Sequence, residues 1–289
     1  CASSGSKGLV GKAAQVNGVC GMSFGAFCKV IRPTIANKKY LGFYFQSPQY
    51  RHSISEASAG ININNIRAED LDHLEIELPD EVEQGRRCFI LDKAVKAIIL
   101  RKQQIEKLND LVKSQFIEMF GSVEDNKNGY KVIKIKDACE LVNGRAFKPE
   151  EWTTKGLPIV RIQNLNNENA PFNYFDGVVN AQHLIDCGDL LFSWSGTPGT
   201  SFGAFFWMRG KAALNQHIFK VKSKCEFAPA FLKNALNGRL DYIISRAHGG
   251  VGLQHITKKE LDEVELLLPP IEQQNNFATF VEQTDKSKF

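Results

Sequence analysis

The chain writes one stretch of sequence twice. Residues 59–79, AGININNIRAEDLDHLEIELP, and residues 249–269, GGVGLQHITKKELDEVELLLP, align without a gap. Ile66 faces Ile256, Leu71 faces Leu261, Leu78 faces Leu268 and Pro79 faces Pro269, each pair 190 positions apart (256 less 66). Upstream the echo continues at an offset of about 191. Phe27-Cys28-Lys29-Val30 faces Ile218-Phe219-Lys220-Val221, Tyr40 faces Phe231, and Ser4-Gly5-Ser6-Lys7-Gly8 faces Ser195-Gly196-Thr197-Pro198-Gly199. Downstream, Glu83-Gln84 faces Glu272-Gln273. Such a period is too long for a solenoid of small repeats and fits two copies of a domain with its connector. Residues 1 to about 100 then match residues 190–289, giving one complete unit and part of another. On that reading the first unit lacks roughly 60 residues at its start.

Between the copies the period changes. From Val82 to Phe120 there is no proline and only one glycine, Gly85. Leu91, Val95, Ile98, Ile105, Leu108, Val112, Phe116 and Met119 recur mostly at three- and four-residue steps, which is one apolar stripe on a long helix, interrupted by Lys102. Gly121 is a suitable stop. A helix of about 37 residues is roughly 55 Å long and asks for a partner along its seam. Ile271 with Phe277, Phe280 and Val281 begins a second such helix, and the two are expected to pack antiparallel. The expected segments are 1–80 (part of a first recognition unit), 81–121 (long helix), 122–269 (a complete second unit) and 270–289 (start of a second long helix).

Within the units, strands are expected at Leu74–Leu78, Tyr130–Ile135, Leu157–Leu165, Asp189–Trp194 and Phe202–Trp207. Helices are expected at Pro229–Leu236 and Leu240–Ser245, with two short ones split by Pro48 between Tyr40 and Ser55. The fold class is therefore α+β: mixed-sheet domains separated by long antiparallel coiled-coil helices.

Composition admits ordinary cores, with 43% hydrophobic and 24% charged residues over 289 positions. A net charge of +4 is compatible with a polyanionic partner without requiring one. No apolar run approaches a membrane span and no signal peptide is visible. Seven scattered cysteines without a C-x-x-C pair read as free thiols in the cytoplasm.

Catalytic patterns fail on inspection. Around Gly11-Lys12 a phosphate loop would need glycine where Ser6 stands and Ser or Thr where Ala13 stands. His248 and His255 are seven apart, which matches no zinc motif. The acidic pairs Asp186/Asp189 and Glu150/Glu151 have no basic or histidine partner at a telling spacing. The chain reads as a binder.

The repeated elements, LDHLEIELPDEVEQ at 71–84 and LDEVELLLPPIEQQ at 261–274, together with GLPIVRIQNLNN, GDLLFSWSGTPG and HGGVGLQHIT, resemble the specificity subunit of Type I restriction-modification systems. The resemblance covers essentially the whole chain. It implies two target-recognition domains that each read half of a bipartite site in double-stranded DNA. It also implies antiparallel spacer helices that dock methyltransferase subunits and, through them, the nuclease/translocase subunit. S-adenosylmethionine, ATP and magnesium would belong to those partners, with no cofactor or metal in this chain and no catalysis of its own. Self-association with a second copy is a further expectation, because the first recognition domain is short.

Base edges are read by Asn, Gln, Arg and Lys, and phosphates are held by basic side chains, hydroxyls and backbone amides. That singles out Arg145, Lys148, Arg161, Gln163, Asn164, Trp194, Ser195, Thr197, Gly199, His248, Gly250, Gln254 and His255 in the complete unit. In the first unit the matched positions are Ser4, Ser6, Lys7, Asn62 and Asn64. Trp194 suits a core position as well as a DNA-facing one, and Arg161 suits an outward ion pair as well as a DNA contact. Two rival readings stand beside this one: a helical adaptor or dimerisation protein that binds only protein, and a nuclease or methyltransferase fragment.

Overall fold

The proline-free stretch folds as one uninterrupted helix, Glu81–Phe120. Asp80 starts it, its carboxylate accepting the Glu83 N–H at 2.8 Å. Gly121 ends it in the left-handed region (φ 71°), where a side chain would be strained, and its N–H returns to the Ile117 carbonyl at 2.8 Å. The computed structural model describes all residues except 3, 6–9, 17, 19, 20, 22, 58–63, 198, 251, 252 and 289, and only the backbone of Ser4, Gly5, Ala57, Asn64, Asn65 and Leu253. The chain divides into two units, Cys1–Gln103 and Gln104–Phe289.

The first unit holds β1 (Ser4–Gly5), α1 (Lys38–Tyr44), α2 (Pro48–Ala57), β2 (Asn64–Asn65), α3 (Ala68–Asp72) and the first half of the long helix, α4 (Glu81–Phe120). Pro48 opens α2, where a missing N–H costs nothing. The second unit holds the rest of α4, then β3 (Lys131–Lys134), α5 (Ile135–Ala138), β4 (Cys139–Asn143), β5 (Leu157–Val160), α6 (Ile162–Asn166) and β6 (Asn173–Phe175). These are followed by β7 (Leu184–Ile185), β8 (Leu190–Ser193), β9 (Ser195–Gly196), β10 (Gly203–Phe206), β11 (Ala212–Leu214) and β12 (Ile218–Ser223). The unit closes with α7 (Pro229–Gly238), α8 (Leu240–Ser245), β13 (His248–Gly250), β14 (Leu253–His255), α9 (Lys258–Asp262), β15 (Glu265–Leu268) and α10 (Ile271–Lys286).

Two four-stranded sheets frame the second unit. One is antiparallel, β10-β8-β12-β4; the other runs β6-β5-β11-β7 and contains the parallel pair β5–β11. The fold is α+β with mixed sheets, as the sequence leads one to expect. The expected strand Leu157–Leu165 stops at Val160; Ile162–Asn166 is instead a short helix. The Asn164 side chain bonds the Arg161 N–H and the carbonyls of Ala170 and Pro171, which turns the chain out of the sheet.

The apolar stripe of α4 divides in two. Val112 is buried, and Phe116 and Met119 pack on the second unit's core, where Phe116, Phe120, Phe231 and Phe277 form a ring cluster with centroids 4.8–5.7 Å apart. Ile105 and Leu108 are half-buried. Leu91, Val95 and Ile98 stay exposed in this chain (41%, 42% and 56%), alongside Ile90, Ile99 and Leu100.

The sequence repeat is a structural repeat. Ser4 pairs opposite Asn65 and Gly5 opposite Asn64; Ser195 pairs opposite His255 and Gly196 opposite Gln254. Arg67 and Thr257 each begin a short helix whose third residue, Asp70 or Glu260, bonds back to their backbone N–H at 2.7 and 3.1 Å. Gln84 is buried; its Oε1 accepts the Asn37 N–H at 2.8 Å and its Nε2 donates to the Pro79 carbonyl at 2.7 Å. Gln274 is also buried; its Oε1 accepts the Ala228 N–H at 3.0 Å and its Nε2 donates to the Pro269 carbonyl at 2.8 Å. The counterpart of Gln84 is thus Gln274, one position beyond the Gln273 that the sequence alignment suggests.

The repeat breaks at one strand. β15 pairs antiparallel with β3, but Leu74–Leu78, expected as a strand, joins no ladder among the described residues. Instead the hydroxyls of Tyr40 and Tyr44 donate to the Glu77 and Glu75 carbonyls at 2.9 and 3.2 Å. A strand needs a partner, and alternation alone does not supply one.

All three tryptophans lie in the second unit, so their fluorescence reports on it alone. Gln274→Leu leaves the Ala228 N–H and the Pro269 carbonyl buried without partners. It should destabilise that unit by about 1–3 kcal/mol in urea titrations; an unmoved midpoint would refute the role assigned to the clasp.

Three carboxylates are held down to about 2: Glu83 by hydrogen bonds from Arg86 and Arg87, Glu260 by Thr257 and His248, and Glu263 by Lys134 and Lys136. A depressed folded pKa adds stability above the unfolded value, and that stability fades as pH falls through the folded one. Thermal melts should therefore lose stability between about pH 4.5 and pH 2, and the Glu263→Gln variant should show a shallower loss over the same window. Parallel pH profiles would contradict the assignment.

Candidate nucleic-acid interface

Four polar segments meet where the strands of the second unit end. β4 runs out into Asn143, Gly144 and Arg145; β5 ends at Val160 before Arg161; β8 ends at Ser193 before Trp194; and β11 leads through Asn215, Gln216 and His217 into β12. Backbone bonds tie the four together. The Arg145 N–H donates to the Leu214 carbonyl at 2.8 Å, the Gly144 N–H to Ile218 at 3.1 Å, the Asn215 N–H to Val160 at 3.1 Å and the Trp194 N–H to His217 at 3.3 Å. Glycine is required at 144, because any Cβ there would collide with the Asn215 carbonyl.

The 195–199 and 248–255 segments, far apart in sequence, are joined by β14, which pairs with β13 on one side and β9 on the other. His255 therefore lies opposite both Ser195 and His248, and Gln254 opposite both Gly196 and Gly249. A cleft of about 330 Å³ opens beside them, lined by Asn143, Trp194, Phe219, His255, Thr257 and Lys258 among others.

The expected site residues meet different fates. Arg145 is half-buried; its guanidinium pairs with Glu151 and lies 4.5 Å over Phe175 and 4.7 Å over Phe147, so its charge is already balanced. Lys148 is exposed, and its backbone N–H bonds Glu151 at 2.8 Å. Arg161 stacks 5.2 Å over the exposed ring of Trp152, with no carboxylate partner among the described residues. Gln163 is exposed, and its Nε2 donates to the Pro171 carbonyl at 3.3 Å. Asn164 is corrected: it is fully buried, and all its polar atoms serve the local turn, which leaves nothing for a base.

Trp194 is half-buried, stacked on Phe219 at 5.7 Å and 5.4 Å from His217, and it packs on the core. Ser195 is buried in β9, an edge strand of the three-stranded sheet. Thr197 and Gly199 are exposed in the turn after it, where the Ser201 N–H closes on the Thr197 carbonyl at 3.0 Å. His248 is exposed, 2.6 Å from Glu260 Oε1, and Gly250 is exposed at the hairpin tip. Gln254 is half-buried with its Oε1 unbonded among the described residues, and His255 is exposed. In the first unit Ser4 and Asn64 lie in the β1–β2 ladder, while Ser6, Lys7 and Asn62 fall outside the described residues.

The sequence reading passed over Asn215, Gln216 and His217. The signal was present: three polar residues stand between the apolar runs Ala212–Leu214 and Ile218–Phe219. Burial, then the neighbouring His255, lowers the His217 pKa, so the ring is neutral near pH 7. Gln216 Nε2 lies 3.1 Å from His217 Nε2. Among the described residues no group of three or more potential metal ligands gathers, and no helix is long and apolar enough to cross a membrane.

The chain is similar to known proteins. The EcoKI specificity subunit of Escherichia coli K12 is 26% identical over 315 positions, which takes in 97% of this chain and 66% of that subunit. The StySPI specificity subunit of Salmonella potsdam is 37% identical over 112 residues, 38% of this chain and 24% of that protein. The chain thus spans less than two thirds of the length of either relative. The crystal structure of the S subunit of the Type-I restriction-modification system from M. genitalium superposes with a TM-score of 0.52 at 16% identity, over 87% of this chain and 67% of that one; the likeness is one of fold. Residues 3–110 and 127–289 match the Type I restriction modification DNA specificity domain, and the chain belongs to that family.

Proposed function

We propose that the chain is the non-catalytic DNA-recognition part of a Type I restriction-modification complex. Its two units read the two halves of a split sequence in double-stranded DNA. The exposed apolar face of α4 around Leu91, Val95 and Ile98 docks methyltransferase subunits, through which the nuclease/translocase subunit joins. S-adenosylmethionine, ATP and magnesium act in those partners, in the cytoplasm. Self-association with a second copy would cover the same apolar face.

The observation that carries this reading is the duplication: the same β register, carboxylate bond at the start of a short helix and glutamine clasp occur in both units, and one helix runs from one unit into the other. Such a pair of similar readers suits a partner that presents related sites at a fixed interval. Half-sites one turn of DNA apart are about 34–36 Å from centre to centre, and a 40-residue helix is about 60 Å long, sufficient to span that interval.

Reconstituted with its methyltransferase partner, the chain should direct methylation to one split sequence. Raising salt from 50 to 200 mM should weaken DNA binding by about a thousandfold or more, since each phosphate contact releases counterions. Methylation without sequence preference, or binding indifferent to salt, would count decisively against the reading and favour a protein-only adaptor.

A further inference from the structure

We propose that the Asn215-Gln216-His217 connection between β11 and β12 is the base-reading element of the second unit, with Asn215 and Gln216 as its adenine-directed amides. The inference rests on the DNA-recognition reading and gives it a named surface.

A side chain that reads a base must hold donors and acceptors not already used inside the protein. By that measure most of the polar residues around the strand ends are poor readers. Arg145 is balanced by Glu151, His248 is bonded to Glu260, Gln163 bonds the Pro171 carbonyl, and Asn164 is wholly committed to its turn. The Asn215 amide makes no hydrogen bond to any described residue. Gln216 has one contact, between its Nε2 and His217 Nε2, and its Oε1 is unused.

The same contact ties neighbouring loop side chains together: Gln216 Nε2 lies 3.1 Å from His217 Nε2, and His217 Nδ1 is buried with no partner among the described residues. The ring is braced by Trp194 at 5.4 Å. The backbone is pinned from both sides, by Val160 accepting the Asn215 N–H and Leu214 accepting the Arg145 N–H. Free amides on a fixed backbone are what base discrimination needs, and Asn or Gln matches the donor and acceptor edge of adenine in the major groove.

The internal repeat points the same way. The strand that follows the loop is echoed in the first unit, Phe27–Val30 for Ile218–Val221, but the residues facing Asn215-Gln216-His217 are Phe24-Gly25-Ala26. The flanking sequence is repeated and the loop residues are not, as two modules with different half-sites require.

The test uses the full chain with its methyltransferase partner, and the methylated sequence is read on randomised duplex DNA. Asn215→Ala and Gln216→Ala should relax discrimination by about 10- to 100-fold at positions in one half-site only. Salt dependence and thermal melting should stay unaltered. Asn215→Asp, which removes the donor and keeps the shape, should move preference from adenine towards cytosine. Unchanged discrimination in all three folded variants overturns the loop assignment alone. A wild-type chain that shows no sequence preference overturns the functional reading and the assignment with it.

Discussion

A buried glutamine amide holds each unit to its helix. In both copies the oxygen takes the N–H at the start of a globular helix, and the nitrogen gives to the proline carbonyl of the Leu-Pro just before its own helix. A primary amide is suited to this because it donates and accepts within one planar group, and burial makes the loss of either bond costly. The clasp fixes where the long helix leaves the unit. Phe277 then lands one turn beyond Gln274 and closes the ring cluster with Phe116 and Phe120.

Everything on the interface side depends on a second constraint, the convergence of strand ends. Short backbone bonds between β4, β5, β8 and β11–β12 leave little freedom for the loops, so polar side chains there are carried on a fixed frame. In the first unit the pairing of Ser4 with Asn65 repeats that of Ser195 with His255, while loop composition differs. A family of DNA specificity domains is served by that division: a constant scaffold can carry changing loops without a change of fold.

Much of the fold was legible in the chain itself. The proline-free, periodic stretch gave α4 nearly to the residue, because a 3.6-residue period over forty positions has no other stable form. Pro48 split two helices as expected, and the gap-free echo has a structural counterpart in the matching pairs Ser4 with Asn65 and Ser195 with His255. The misses share one cause. Leu74–Leu78 alternates like a strand, yet its pairing depends on a neighbour the sequence cannot display. Leu157–Leu165 is apolar enough for a strand, yet a single buried Asn164 turns half of it into a helix.

The site was legible as chemistry but not as accessibility. Residue type alone marked Arg145, Asn164, Gln254 and His255 alike, and only tertiary packing separates a spent hydrogen-bonding group from a free one. The polar run Asn215-Gln216-His217 stands out between two apolar ones, but its neighbours in space, Gly144, Val160 and Trp194, are distant in sequence. Sequence by itself determined that one stretch is written twice, that one long helix lies between the copies and that no obvious catalytic motif is present, since periodicity, turn residues and repetition are local or self-referring properties. The tertiary structure alone decided which side chains keep unused bonds, because burial and hydrogen-bond satisfaction are set by whichever segments the fold brings alongside.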